Sequence, residues 1–441
     1  MAQATAVSRP PLSDAGAIGH YRWVVCALLF FATTVNYVDR QILALIKEFL
    51  DTELHWSNAT FGWVNGAFQL SYALGLFVFG WFVDRYGTRI GYATSIALWS
   101  VAALGHSLVG SVNGFFAARV FLGVSEGGNF PSAIKAVALW FPRRERAFAT
   151  AIFNAGTNVG AIVAPAMIPA VALTFGWRWA FILAGLAGFV WLAFWLPMYD
   201  VPERRKLTPG EYALIQGDGD EAAAGGVPMG YRRALRLPQT WSFLTAKFLT
   251  DPVWWFFLIW LPDYFKATRG LSIRNSWVHL VTIYTIVTVL SIAGGWVTGW
   301  LCSRGWTVTR ARKTGMFIFA LCVLPILAVT KVGDWPAVLL IGFAASAHQA
   351  WSANLFTTVS DMFPKKDVAT VTGLGGMTGS AGGFVFPILT GWLLDHYKAA
   401  GNVTRGYAIL FSICAFAYLV AFFVHHALAP RFEPIPTGNT A

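Results

Sequence analysis

The chain has 441 residues, of which 56% are hydrophobic and only 12% are charged, and its mean hydropathy is +0.56. A soluble globular protein carries about 25% charged residues, and a disordered chain has no means of burying 21 Trp and 36 Phe side chains. The composition therefore excludes both classes and predicts an integral membrane protein built of helices.

Twelve mostly apolar runs follow one another along the chain, and each is long enough to cross a hydrocarbon core, which takes about 20 residues. Backbone polar groups in lipid must be satisfied within the span, so the runs are expected to be helices. The predicted spans are 23–45, 60–82, 89–109, 113–138, 147–172, 178–198, 241–263, 276–300, 312–331, 335–360, 367–392 and 405–427.

The longest gap between spans, residues 199–240, divides the runs six and six. Thr208, Pro209 and Glu211 in this gap match the N-cap, N1 and N3 positions of a capping box, which predicts a short helix within a linker. The predicted organisation is an N-terminal segment 1–22, a six-helix bundle 23–198, the linker 199–240, a second six-helix bundle 241–427 and a tail 428–441.

The net charge of +11 is explained by where the basic residues lie. Of the 32 Lys and Arg residues, 20 fall in loops on the side of the N-terminus, 8 fall on the other side, and Arg40, Arg119, Lys135 and Lys247 lie inside spans. Cytoplasmic loops are enriched in Lys and Arg, so both termini are expected in the cytoplasm. No nucleic-acid partner is needed to account for the charge.

An internal repeat relates the two bundles. When the chain is shifted by 222 residues, the segment 141–165 falls on 363–387, where seven of 25 positions are identical and three more keep the sign of their charge. A repeat of about half the chain length indicates two pseudo-symmetric six-helix halves, an architecture found in many secondary transporters.

Four ionisable residues interrupt the apolar spans of the first half. Asp39 and Arg40 are adjacent in the first span, and Arg119 and Glu126 lie seven residues apart on one face of the fourth. Charges at mid-membrane are costly and usually face a cavity. A guanidinium can hold a carboxylate with two hydrogen bonds, so Arg40 is a candidate anion site. Asp39 and Glu126 are candidate proton carriers, and Arg119 is expected to pair with one of them.

The alternative is that the four charges form structural salt bridges that hold helices together. Polar residues elsewhere in the spans also have two interpretations, as internal hydrogen-bonding groups or as ligands for a polyhydroxylated solute. The candidates in this second class are Asn158 in the fifth span and His348, Gln349, Trp351 and Asn354 in the tenth, where His348 falls on Glu126 under the 222-residue shift.

No cofactor or metal is predicted. The four cysteines form no CxxC pair, the histidines form no HExxH motif, and no Walker loop is present. A membrane enzyme, which would need a nucleophile or a metal set, is therefore disfavoured.

Two motifs resemble the major facilitator superfamily. The loop GWFVDRYGTR contains Gly80, Asp84, Arg85, Gly87 and Arg89, which match the gating motif of that family, while its second copy, GWLCSRG, is degraded. The stretch RVFLGVSEGGNFP resembles the fourth-helix motif of proton-coupled members. Together with NYVDRQ, TDPVWWFFLIWLPDYF and AHQAWSANLFTTVSDMFP, it is similar to the anion:cation symporter family and, within it, to bacterial hexuronate transporters.

The resemblance implies roles for individual residues. Asp39, Arg119 and Glu126 would be the proton-coupling positions, Arg40 would bind the substrate carboxylate, and Tyr37 and Tyr72 would lie near the substrate. Ser380 stands where galactonate-type members place an Asn. This departure argues against copying their substrate contacts and fits a different acid sugar.

The predicted function is a proton-coupled symporter of the bacterial inner membrane that imports a sugar acid, galacturonate or glucuronate first, by alternating access. Its expected partners are the carboxylate substrate, protons and the lipid bilayer, and the expected unit is a monomer. The alternatives are a symporter of aldonate, glucarate or another organic anion, a phosphate-ester antiporter, and a transporter-like sensor. A phosphate-ester antiporter would need intramembrane bases that acids do not balance, and a drug exporter would need an apolar cavity without Arg40.

Overall fold

The structure is a computed structural model, and it describes residues 19–216, 229–433 and 435. Within these ranges the chain is helical with no strand, and twelve long helices account for the twelve predicted spans. The first six are α1 Tyr21–Leu45, α2 Asn58–Tyr86, α3 Thr88–Ser107, α4 Val112–Glu126 continued by Asn129–Trp140, α5 Arg143–Phe175 and α6 Trp177–Met198. The last six are α7 Pro238–Arg269, α8 Ile273–Ser303, α9 Val308–Val323 continued by the 3-10 segment Leu324–Lys331, α10 Asp334–Met362, α11 Lys365–Ala399 and α12 Val403–Leu428.

Eight of these helices are long and apolar enough, by length and composition alone, to cross a membrane. They are α1, α2, α5, α6, α8, α9, α11 and α12. Within each half, short connections join successive helices and make neighbours antiparallel. Gly87 and Gly176 turn the chain between α2 and α3 and between α5 and α6 with φ angles of 84° and 92°, a region of backbone space that favours glycine.

The fourth span differs from the continuous helix predicted for 113–138. It breaks after Glu126 at Gly127 and Gly128 and resumes at Asn129. A side chain at Gly127 would collide with the backbone of Gly75 in α2, and one at Gly128 would collide with Ser95 in α3. The two glycines let α2, α3 and α4 approach closely at the break. Because glycine is unfavourable in a helix interior, interrupting the helix here costs little free energy. The break leaves Glu126 at the end of a helical segment.

The predicted linker helix is present as Pro209–Gln216, but its capping differs from the expected reciprocal pair. The Thr208 hydroxyl accepts from the Glu211 N–H at 3.3 Å, as predicted. The Glu211 carboxylate instead accepts from the backbone N–H of Arg22 at 2.9 Å. Because Arg22 also binds Glu145 at 2.9 Å, the linker helix is tied to the starts of α1 and α5.

The two ends of the bundle differ in how the first six helices meet the last six. The end that holds the start of α1, the linker helix and the end of α12 is here called the terminal end, and the other is the opposite end. At the opposite end Lys47 binds Asp263 of α7 at 2.8 Å. The Asp395 carboxylate of α11 accepts the backbone N–H groups of Asn58 and Ala59, at 2.9 and 2.7 Å, at the start of α2.

Helices α2 and α11 also pack backbone to backbone near the opposite end. Side chains at Gly62 or Gly391 would collide with the backbone of Pro387 or Asn58. Nearer the terminal end, a side chain at Gly373 or Gly376 of α11 would meet no described atom within 4 Å. The described contacts therefore close the two halves against each other at the opposite end.

A bulky residue at Gly62 or Gly391 should prevent this closure. Overpacking costs about 1–3 kcal/mol, so Gly62→Val and Gly391→Val should lower the population of the state closed at the opposite end about 5- to 150-fold. Distances between spin labels across the opposite end should lengthen. Gly105→Val, where a side chain would meet no atom within 4 Å, is the matched control; equal distances in all three variants would contradict the packing.

Candidate functional site

The charged residues of the first half meet at an ion pair between two helices. The Arg40 Nε of α1 lies 2.7 Å from the Glu126 Oε2 at the break in α4, and the two side chains are 4% and 0% exposed. The break places Glu126 at a helix end, so its carboxylate can turn toward α1. Arg40 is thus held by a carboxylate of the protein itself.

Aromatic rings surround the Arg40 guanidinium. Its central carbon lies 4.3 Å from the ring centre of Tyr72, 5.1 Å from Tyr37 and 5.5 Å from both Phe68 and Trp255. These distances are in the range of cation–π attraction. Trp255 belongs to α7 and is only half-buried, so the cage joins the two halves of the protein at this site.

Asp39 and Arg119 lie beside this pair, and both are buried. Both carboxylate oxygens of Asp39, Nε and Nη2 of Arg119, Nη2 of Arg40 and Oε1 of Glu126 have no hydrogen-bond partner among the described residues. The amide of Asn36, one turn before Arg40, lies near the Glu126 carboxylate, but no hydrogen bond within 3.5 Å forms to it among the described residues. Buried polar atoms are normally satisfied, so a cluster of such groups indicates a place where ions, protons or a polar solute act.

The predicted pairing of Arg119 is wrong. Among the described residues Arg119 makes no ion pair within 4 Å, and Glu126 pairs with Arg40 instead. The Glu126 carboxylate is turned toward Arg40, and neither oxygen of Asp39 has a hydrogen-bond partner among the described residues. Arg119 still acts on Asp39 and Glu126 through space.

The interpretation of these charges as structural salt bridges fits the site poorly. Only one close ion pair forms among the four residues, all of which the structure describes, and most of their polar atoms remain unpartnered within the described chain. A group whose task was to hold helices together would gain from satisfying each member, because half-satisfied buried networks are costly.

Three of the predicted residues of the tenth span are engaged inside the second half. The His348 Nδ1 lies 2.6 Å from the Tyr418 hydroxyl, and its ring stacks on Trp254 at 5.7 Å. Trp351 is fully buried and packs edge-on against Tyr418. The Asn354 amide donates to the Ala350 carbonyl, and its oxygen accepts from Arg312 at 3.4 Å. None of these contacts reaches the Arg40 cage.

The remaining predicted polar residues lie in different surroundings. Gln349 and Asn158 are half-exposed, and Ser380 is buried in α11. The structure therefore brings Tyr37, Asp39, Arg40, Tyr72, Arg119 and Glu126 together, whereas His348, Trp351 and Asn354 are bound within their own half.

The candidate site residues predicted from the sequence omit part of the second half. Trp255 covers Arg40, and one turn earlier in α7 Asp251 forms an ion pair with Lys247 at 2.5 Å. The available signal is the spacing of Lys247, Asp251 and Trp255, four residues apart, which places them on one helix face. Asn36 lies four residues before Arg40, so the same spacing places these two residues on one helix face.

The loop GWFVDRYGTR, predicted to act in gating, makes contacts within the first half. Asp84 binds Lys135 of α4 at 2.8 Å, and the Lys135 ammonium also donates to the Val83 carbonyl. Arg89 binds Asp200 at 3.2 Å and the Leu196 carbonyl at 2.6 Å. Arg85 is exposed, Gly87 has the positive φ of the turn, and a side chain at Gly80 would meet open space.

No cluster of three or more His, Cys, Asp or Glu side chains suited to a metal occurs in the part of the chain that the structure describes. The four cysteines are free thiols. The chemistry of the site therefore rests on its charges, amides and aromatic rings.

The protein has twelve long helices in two groups of six, which meet at the opposite end, and a buried ion pair lies within the first group. This architecture agrees with the family found by sequence comparison. The sequence signature of the Major Facilitator Superfamily matches residues 29–387. The chain belongs to the Major Facilitator Superfamily. It is a multi-pass membrane transporter and not an enzyme.

Relatives within the superfamily cover nearly the whole chain. The hexuronate transporter of Escherichia coli strain K12 is 29% identical over 400 residues, or 89% of this chain and 90% of the relative. A "Probable galactarate/D-glucarate transporter" of the same strain is 27% identical over 428 residues, or 91% and 95%. The crystal structure of a bacterial homologue of the human lysosomal transporter Spinster, inward-facing and occupied, has a TM-score of 0.72 at 17% identity and covers 93% of this chain and 97% of its own.

Proposed function

We propose that the protein is a proton-coupled symporter that imports a sugar acid, most directly a hexuronate such as galacturonate or glucuronate. The observation that carries this proposal is the Arg40 guanidinium, which lies between the two halves with Nη2 unpartnered among the described residues. A fixed guanidinium in a setting of low dielectric attracts a carboxylate strongly.

The aromatic cage suits the rest of such a solute. Tyr37, Tyr72 and Trp255 present ring faces against which the carbon skeleton of a sugar can pack, and tyrosine and indole groups can hydrogen-bond its hydroxyls. The names of the hexuronate and galactarate/D-glucarate relatives support the same class of solute.

Proton coupling follows from competition for Arg40. While Glu126 is ionised, it occupies Arg40; when Glu126 takes up a proton, its attraction for Arg40 weakens and a substrate carboxylate can replace it. Asp39, buried next to the pair with both oxygens unpartnered among the described residues, supplies a second proton site. Arg119, buried near both acids, adds a second positive charge to the site.

The transport cycle is alternating access between the two bundles, 23–198 and 241–427, joined by the linker 199–240. The excess of Lys and Arg in the loops on this side supports the proposal that the terminal end, with segments 1–22 and 428–441, faces the cytoplasm of a bacterial cell. Since the two halves meet at the opposite end, we assign the described state to the inward-facing part of the cycle. One chain carries the full set of site residues, so the proposed transport unit is a monomer.

A screen of sugar acids tests the substrate class. Purified protein in liposomes should take up galacturonate or glucuronate, and a pH gradient, acidic outside, should increase the uptake. The neutral hexose galactose serves as the control and should be neither bound nor transported, because it offers no carboxylate to Arg40. Uptake of galactose equal to that of the acids would overturn the proposal.

A further inference from the structure

A second buried ion pair lies in the other half of the protein, on the face of α7 that carries Trp255. Lys247 and Asp251 of α7 lie 2.5 Å apart, and their side chains are only 7% and 18% exposed. Together with Trp255 they occupy one face of the helix at four-residue intervals. Along the helix axis, Asp251 and Lys247 lie about 6 and 12 Å from Trp255, toward the terminal end, and Trp255 itself covers Arg40.

Residues from three other helices enclose this pair. The Lys247 ammonium lies 4.5 Å from the ring centre of Phe356 in α10. A side chain at Gly379 in α11 would collide with the Asp251 carboxylate, so the glycine makes room for that carboxylate. Asp251 also interacts electrostatically with Tyr37 of α1, which forms part of the Arg40 cage. Trp255 shares a face of α7 with the pair and also contacts Arg40, so the pair and the cage are neighbours.

A role in stability does not explain the pair. Buried ion pairs rarely stabilise a fold more than apolar residues of similar size, because both charges lose their hydration. A pair between two helices could still fix their arrangement, but Lys247 and Asp251 belong to the same helix, so the bond between them links no two helices. A role in the binding site beside Arg40 is the remaining explanation.

We propose that the Lys247–Asp251 pair is a charge filter that sets the number of carboxylates on the solute; this inference rests on the proposed function. Asp251 neutralises Lys247, so Arg40 is the cation that receives a carboxylate, and the pair offers its ammonium and carboxylate groups to the hydroxyls at the far end of the sugar. A six-carbon aldarate bound at Arg40 would direct its second carboxylate at Asp251 and be repelled. The filter therefore selects monocarboxylates such as hexuronates over aldarates.

Asp251→Asn in the full-length protein tests this filter. The variant frees Lys247 to bind a second carboxylate, so the ratio of the galactarate inhibition constant to the galacturonate KM should fall at least about tenfold, the effect of 1.4 kcal/mol. The measurement is uptake of labelled galacturonate into proteoliposomes with galactarate as competitor. Asp361→Asn, which breaks the Arg312–Asp361 ion pair at the terminal end of the same half, is the matched control and should leave the ratio unchanged.

Two further variants keep the test decisive if Asp251→Asn folds poorly. Combining Lys247→Met with Asp251→Asn removes both charges and should cancel the gain for galactarate. Lys247→Gln leaves Asp251 uncompensated and should raise the galacturonate KM about tenfold or more through repulsion of like charges.

The outcomes separate the two proposals. If the wild-type protein transports galacturonate but the ratio does not move in Asp251→Asn, or the double variant keeps the gain, the filter is overturned and the proposed function stands. A wild-type preference for galactarate over galacturonate also overturns the filter. If the wild-type protein transports no sugar acid, the proposed function fails and the filter fails with it.

Discussion

Replacing Arg40 by glutamine should abolish sugar-acid binding. Truncating one member of a buried, hydrogen-bonded charge pair costs about 2–5 kcal/mol, which corresponds to a loss of at least about 30-fold in affinity. The substrate carboxylate would lose its guanidinium, and the space between Tyr37 and Tyr72 would no longer attract an anion. Binding of galacturonate to the purified variant, measured by calorimetry, checks the loss.

The Arg40 experiment needs a control for folding, because the variant leaves Glu126 buried without its partner. Combining Arg40→Gln with Glu126→Gln removes both charges and should restore thermal stability without restoring binding. Arg312→Gln, in the second half and away from the cage, should bind galacturonate normally. A folded Arg40→Gln protein with wild-type affinity would show that another residue holds the carboxylate.

Neutralising Asp39 or Glu126 should separate exchange from accumulation. Asp39→Asn and Glu126→Gln keep the shape of the site but cannot release a proton, so solute can still be exchanged while a pH gradient no longer drives it. A gradient of one pH unit supports about tenfold accumulation per coupled proton. Both variants should show a ratio near unity under that gradient and retain counterflow of labelled galacturonate.

Glu53→Gln is the control for this second experiment. Glu53 lies in the short helix Lys47–Leu54 at the opposite end; burial acts to raise its pKa, but hydrogen bonds from Trp177 and Arg178 outweigh that effect and lower the pKa below its ordinary value. It therefore stays ionised as the pH falls and should not carry protons through the cycle. If Asp39→Asn and Glu126→Gln concentrate substrate as well as Glu53→Gln does, the coupling assignment is wrong.

The arrangement of the helices could be predicted because the bilayer imposes a simple rule on sequence. Each span must be apolar over about 20 residues, and α1 through α12 all appear where such runs occur. The 222-residue repeat also predicts which residues occupy equivalent positions in the two halves. Glu145 binds Arg22 just inside α1, and Asp367, its counterpart 222 residues later, accepts from the Met229 N–H, in the segment that leads into α7.

The side-chain partners within the site could not be predicted, because they depend on how the helices rotate and approach one another. The spacing of residues predicts that Arg119 and Glu126 share one helix face, but it does not indicate that Arg40 is the residue that pairs with Glu126. The break at Gly127 and Gly128 depends on contacts with α2 and α3, which spacing along one helix does not reveal. Likewise, whether His348 faces the cavity or Tyr418 depends on the position of α12.

The decisive experiment on carboxylate binding by Arg40 is a structure of the protein determined with galacturonate bound at acidic pH. We expect the sugar carboxylate within hydrogen-bond distance of the Arg40 guanidinium, with Glu126 displaced from it and the sugar between Tyr37, Tyr72 and Trp255. A carboxylate bound elsewhere, with Arg40 still paired to Glu126 and closed off from the cavity, would contradict it.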